Sequence, residues 1–482
     1  MDIMRPGNRL YLYAYIWLLI PCLMFLSGWT KTYIALPACV LLCYGVWKSV
    51  STLSPQPYTP VRLNRRMIWS LALLTAWVLL SGLGGLMWQD YWDHGFRNAV
   101  YFDLVSHTWP VTEIENGDPA LLCYYFGFWL PSAFIAKLTG SIEAGYWLQF
   151  LYGLAGTILA LLMIFRYLGS VRIRTVVIFT LFCGWDIIAW LILEDDISIY
   201  KAVFALKDLC YEGFSSPSAT TQLYFIYNQG IAIWLTIMLL LRQRDNAGTL
   251  LLTYSLLAIF SPIASAALAP VVIYCCLRHW RQAVSAPNAA GLLFGLTAVA
   301  FYMSNSRVGG FGLNEWGTIP VFLLFLICSY GVFMPFVWRR LRNDRIFWWL
   351  FGTMIVLSWT RLGDTGDMAW RCTIPVSFYL MLALMKKSVT IRSWSEIRHA
   401  AFACVLATGM LAPLGILARS AGHQLQYWRG ILHSTRSDGY PTLFMENICH
   451  DNFIAHGDSF FTRYMMRDRE STAFADNHTK SK

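Results

Sequence analysis

Apolar runs recur along nearly the whole chain, at about 10–29, 33–49, 67–88, 145–166, 174–192, 224–242, 248–261, 264–279, 289–303, 317–338, 345–360, 371–386 and 398–418. About twenty apolar residues in a helix cross the ~30 Å hydrocarbon core of a bilayer. In that medium every backbone polar group must be satisfied internally, which favours helices. The runs therefore predict an all-α polytopic transmembrane protein of about thirteen spans. Several runs are short for the full thickness, as is tolerated where helices pack on one another or line a cavity. Only 13% of residues are charged, against roughly 25% in soluble domains, so a soluble fold is excluded. The 22 Trp and 25 Tyr suit helix ends at bilayer interfaces.

The net charge of +10 is distributed as topology, not as a nucleic-acid surface, because no basic run alternates with exposed aromatics. Basic residues gather in alternate connections: Arg62, Arg65 and Arg66; Arg166, Arg172 and Arg174; Arg339, Arg340, Arg342 and Arg345; Lys386, Lys387, Arg392 and Arg398. The acidic residues gather in the others. The positive-inside rule then puts the N-terminus in the cytoplasm and the C-terminal tail outside. The run from Leu10 to Gly28 has no small-residue cleavage site and reads as a retained first span. The twelve cysteines lie mostly in apolar stretches without metal-ligand spacing, and Cys210 with Cys449 is the one candidate disulfide on the outer side.

Alternation also forces a reading of residues 119–138. If this apolar segment crossed, the basic stretch after span 145–166 would fall outside. It is therefore expected to be a re-entrant or interfacial helix within the first large outer loop, 89–144, with its aromatic residues at the interface. A second outer loop is expected at 193–223. Residues 1–66 form two extra N-terminal spans, 67–418 a transmembrane core, and 419–482 a periplasmic tail or small cap.

The first outer loop opens with WQDYWDHGFRNAVYFDLVSHTWPV, directly after an apolar span. Ionisable groups at a membrane edge are costly and mark sites. The pattern Asp93, Asn98-Ala99, Asp103, Trp109-Pro110-Val111 is followed by FCGWD (182–186), IYNQGIAIWL (226–235), SPIASAALAP (261–270), DMAWRCTIP (367–375) and GDSFFTRYMMR (457–467). In this order the segments resemble an uncharacterised bacterial family of GT-C-type membrane glycosyltransferases. One departure is Phe96-Arg97 where the family has a basic residue and His before Asn; here His94 is displaced.

The resemblance implies an enzyme of the bacterial cytoplasmic (inner) membrane that uses a polyprenyl-phosphate sugar as donor. It implies inverting transfer, at the outer face, to an unidentified glycan, lipid or protein acceptor of the cell envelope. Such chemistry needs a carboxylate to take the acceptor's proton and cations to hold the departing phosphate. Asp93 is the expected base, Asp90 its rival, and Asp103 a second acid or a ligand for metal or acceptor. Asp93 and Arg97 are i, i+4 neighbours if this stretch is helical.

Arg361, Arg371, Arg307 and Arg97 are candidates for the donor phosphate, although Arg371 also fits a snorkelling helix-end residue. Lys201 and Lys207 follow with a weaker case. His94, Trp109, Tyr124, Tyr125, Asn228 and Gln229 are candidates for substrate contact. No cofactor is required by this scheme; a divalent cation at Glu194, Asp195 and Asp196 is an open alternative to a solvated acidic patch. Two other functions compete. A flippase for lipid-linked sugars would place charges at the midplane of repeated helices, and no repeat is found. An O-antigen ligase or polymerase-like enzyme would carry its large outer loop late in the chain.

Overall fold

In the computed structural model the described residues are 6–54, 63–90, 92–115, 118–193, 213–305, 311–315, 317–362, 367–391, 396–434, 442–444 and 450–468. Helices dominate. In chain order they are α1 (Arg9–Trp29), α2 (Thr32–Ser51), α3 (Arg65–Leu80), α4 (Asp93–Ser106), α5 (Leu130–Thr139), α6 (Ile142–Leu168), α7 (Ile173–Leu181) and α8 (Asp186–Leu193). Then come α9 (Ala219–Phe225), α10 (Tyr227–Gln243), α11 (Leu250–Ser255), α12 (Pro262–Arg278), α13 (Ala286–Tyr302), α14 (Ile319–Ser329) and α15 (Met334–Leu341). After these come α16 (Arg345–Ser358), α17 (Asp367–Arg371), α18 (Ile374–Thr390) and α19 (Ile397–Trp428), besides single helical turns at Trp280–Ala283 and His450–Phe453.

Among the described residues six stretches are long and apolar enough to cross a membrane: α1, α2, α6, Ile319–Leu341, Asp367–Thr390 and α19. Helices α12, α13 and α16 are apolar but shorter. The expected spans at 174–192 and 224–242 are broken. Phe182–Gly184 separate α7 from α8, and Ile226 interrupts the turn between α9 and α10. Each break lies within packed protein, where freed backbone groups find partners. Trp185 N, for example, donates to Cys328 O at 2.9 Å.

Two boundaries differ from expectation. Residues 119–138 are not one interfacial helix. Their first part is strand β2 (Asp118–Leu122), paired antiparallel with β1 (Thr112–Glu115), and only the second part is helical, as α5. Ten helical residues rise about 15 Å, too little to cross. The C-terminal tail also begins later than 419, because α19 continues to Trp428.

The polypeptide beyond α19 returns to the connection between α3 and α6. Strand β5 (Ile454–His456) adds to β2, giving the order β1-β2-β5. Farther on, Arg467 N donates to Trp29 O and Lys31 N to Met465 O, which ties the tail to the α1–α2 connection. The two N-terminal helices belong to the same packed body: Tyr15 bonds Thr253 of α11 at 2.6 Å, and Trp17 Nε1 donates to Tyr152 O of α6 at 2.9 Å. A second small sheet pairs β3 (Phe311–Leu313) with β4 (Thr360–Leu362).

Candidate active site

A glycine turn sets the geometry. Helix α3 ends in SGLGG, where Gly82 and Gly84 have φ of 76° and 71°, a conformation glycine adopts without strain. A Cβ on Gly84 would lie 2.5 Å from Tyr146 O of α6, so the turn sits flush on α6. Gln89 closes it by donating to Gly82 O at 2.8 Å, and accepts from Asn98 Nδ2 at 2.9 Å. The start of α4 is thereby fixed to the end of α3. Asp90, just ahead of α4, accepts from His94 N at 2.9 Å, satisfying one of the free N–H groups of a helix start.

The same Asp90 oxygen lies 2.9 Å from His94 Nδ1. Burial raises the Asp90 carboxyl, but the hydrogen bonds and charge of His94, with the charge of Arg97, outweigh it and hold the pKa at about 2. An ionised carboxylate only accepts, so His94 Nδ1 carries the proton. His94 Nε2 faces the interior with no hydrogen-bond partner.

One helical turn on, Arg97 donates from Nη1 to Asp93 Oδ1 at 2.9 Å, the expected i, i+4 pair. The Arg97 side chain is buried while Asp93 is about one-third exposed. Its guanidinium lies 5.9 Å from the ring centroid of Tyr227, and His94 packs 6.0 Å from the same ring. Beyond β2, the rings of Tyr124 and Tyr125 pack against each other, tilted by 32°, with centroids 3.8 Å apart. Arg97 and Arg371 both act electrostatically on this tyrosine pair. Arg371, at the end of α17, is itself buried and ion-paired with Asp367.

The site thus gathers residues from four parts of the sequence: the α4 start, the Tyr124–Tyr125 turn, the head of α10 and α17. Asn228, next to Tyr227, is fully buried with neither amide atom hydrogen-bonded. Arg97 Nε and Arg371 Nε are likewise buried without a partner. An unmet buried polar group costs about 1–3 kcal/mol, so a polar ligand group that met these atoms would relieve that cost. Gln229 differs, since its Oε1 accepts from Ser261 at 2.8 Å, though its amide nitrogen is unmet.

Three contributors were missed or underweighted in the sequence. Tyr227 is one of 25 tyrosines in the chain and is singled out by no spacing of its own. Arg419 and His423 lie on the extension of α19 and act electrostatically with Asp90. The polar turn ARSAGHQ at the end of the last apolar run was their only signal.

Other expected residues stand elsewhere. Asp103 lies ten residues beyond Asp93, about 15 Å along α4. It is fully buried and accepts from Leu443 N at 2.8 Å, so it anchors the returning tail and does not join the Asp90–Asp93 group. Trp109 packs against Trp29 at 5.3 Å, Phe134 and Lys137, and donates to Leu104 O, and so stands apart from the tyrosine pair. Arg361 is on β4, with Nε buried and unmet. Arg307, Lys201, Lys207, the acidic run Glu194–Asp196, and Cys210 with Cys449 lie outside the described residues. Among the described residues no group of three His, Cys, Asp or Glu is placed to hold a metal ion.

Compared with known proteins, the chain matches no family model, no curated protein and no solved structure.

Proposed function

We propose that the protein is an inverting membrane glycosyltransferase that moves a sugar from a polyprenyl phosphate to an acceptor hydroxyl at the outer face of the bacterial cytoplasmic membrane. The observation that carries this reading is the convergence of two buried guanidiniums, Arg97 and Arg371, on the Tyr124–Tyr125 pair, next to the carboxylates Asp90 and Asp93. Cations held in a low-dielectric setting suit a phosphate that gains charge as it leaves.

Asp93 serves as base. Only its Oδ1 pairs with Arg97, and no hydrogen bond to Oδ2 occurs among the described residues. Asp93 takes the acceptor's proton as the acceptor oxygen bonds to the anomeric carbon. The carbon–oxygen bond to phosphate breaks with its electron pair, and polyprenyl phosphate departs on the opposite face. Asp90 is already engaged by the backbone N–H and ring nitrogen of His94. It orients His94, whose unmet Nε2 and the nearby Asn228 amide meet sugar or acceptor hydroxyls. The divalent cation at the acidic run is not needed for this scheme.

Lipid extracts of cells lacking the protein should accumulate a polyprenyl-phosphate sugar, and restoring the wild-type chain should clear it. No change in the lipid-linked sugars would count against the proposal. Loss of transbilayer movement of that lipid, measured without any acceptor, would favour a flippase.

A further inference from the structure

One cavity of the described residues lies away from the candidate active site. It is a groove of about 1030 Å³ between α12 and α16, on the outside of the helix bundle. Small residues make its floor: Ala266 and Pro270 on α12, Gly352 on α16. Trp348, Trp349 and Val356 make its wall. A Cβ built on Gly352 would meet nothing within 4 Å, so the space beside it is open.

Charge is confined to one end. Arg342 and Arg345 line the mouth. Arg345 and Arg278 both donate to Tyr274 Oη, at 3.0 and 3.4 Å. These three arginines are exposed and have no carboxylate partner among the described residues. The nearest acid, Asp344, is occupied: it accepts from the N–H groups of Ile346 and Phe347 and from Tyr379 Oη at 2.6 Å.

From Arg345 to Leu357 the helix rises about 18 Å, close to one leaflet, half of the ~30 Å core. The arginine end is also the far end of α16 from β4 and α17, where Arg361 and Arg371 stand. A lipid held here is therefore distinct from a donor bound at the tyrosine pair.

We propose that this groove is a binding site for an anionic phospholipid, with the headgroup phosphate on Arg342 and Arg345 and an acyl chain lying over Gly352. The chemistry is that of a phosphate fork on guanidinium joined to an apolar slot of one-leaflet length. Clustered basic residues at a membrane edge favour anionic headgroups in the same way.

The full-length protein, purified in detergent, tests this by its unfolding temperature with added dioleoylphosphatidylglycerol, dioleoylphosphatidylcholine or glycerol phosphate. A ligand that binds only the folded state raises that temperature. Phosphatidylglycerol should raise it by several degrees, and the other two should not. The shift should be lost in R342Q/R345Q, reduced in R342K/R345K, which keeps the charge but not the fork, and lost in G352L, whose side chain fills the slot while leaving the arginines in place. G352L decides the matter if the double Gln variant does not fold. An equal shift with phosphatidylcholine or with glycerol phosphate alone, or a full phosphatidylglycerol shift in G352L, would overturn the proposal. None of these readouts depends on glycosyl transfer, so the two proposals fail independently.

Discussion

At the residue scale the structure separates three acids that the sequence presents as a group. Asp90 binds His94, Asp93 binds Arg97, and Asp103 anchors Leu443. Asp93 and Asp103 then carry different predictions. Asp93→Asn should lower sugar transfer by about 100-fold or more, the scale of a lost general base, with donor binding retained; transfer from labelled lipid-linked sugar in membrane vesicles measures it, and unchanged turnover would remove Asp93 from the chemistry. Arg371→Ala should raise the donor KM at least about tenfold, with Arg371→Lys between the two.

Asp103 predicts a pH effect on stability. Burial raises its carboxyl from the usual 3.8 to about 6, against hydrogen bonds from Thr442 and Leu443 and the charge of His107, with Glu113 pushing the same way as burial. A raised pKa in the folded state means the fold is favoured below pH 3.8 and loses that contribution as pH rises through about 6. At about 1.4 kcal/mol per tenfold, the loss is on the order of 3 kcal/mol. Asp103→Asn should therefore unfold at a higher temperature than wild type at pH 7, and the gap should close toward pH 4. A wild-type chain more stable than the variant at pH 7 would refute the assignment.

At the element scale, the turn between α3 and α4 does the positioning. Its glycines are legible as a helix stop, but their packing against α6 is not, because contact with Tyr146 and Phe150 depends on where α6 comes to lie. Gly84→Ala combines a left-handed φ of 71° with a backbone clash at 2.5 Å. It should cost more than about 1 kcal/mol and displace Asp90 as well, so a lowered unfolding temperature should come with lost transfer. Normal activity in a well-folded G84A protein would show that the turn does not set the site. The hairpin β1–β2 was hidden in the sequence for a related reason. Its apolar half-strand merges with the aromatic run that follows, and a short apolar run does not distinguish strand from helix.

At the scale of the whole molecule, the chain closes on itself. Strand β5 joins the β1–β2 hairpin, and Phe453 stacks on Phe96 at 5.8 Å and lies 4.5 Å from Tyr124. The tail therefore supports both sides of the candidate site. Removing residues 450–482 should leave the apolar helices inserted, since insertion depends on their own hydropathy. It should reduce transfer strongly and expose the outer loop to protease; a truncated protein of full activity would disprove this. The sequence by itself determined the helical, membrane-suited character of the chain and the pairing of Asp93 with Arg97, because hydropathy and i, i+4 spacing act locally. Tertiary structure alone decided that Arg97, Tyr124, Tyr227 and Arg371, more than 270 positions apart at the extremes, share one buried cluster. It also decided that Asp103 does not join them and that the spans near 183 and 226 break. Those outcomes depend on which helix surfaces meet, and a linear pattern of apolar and polar residues carries no term for that.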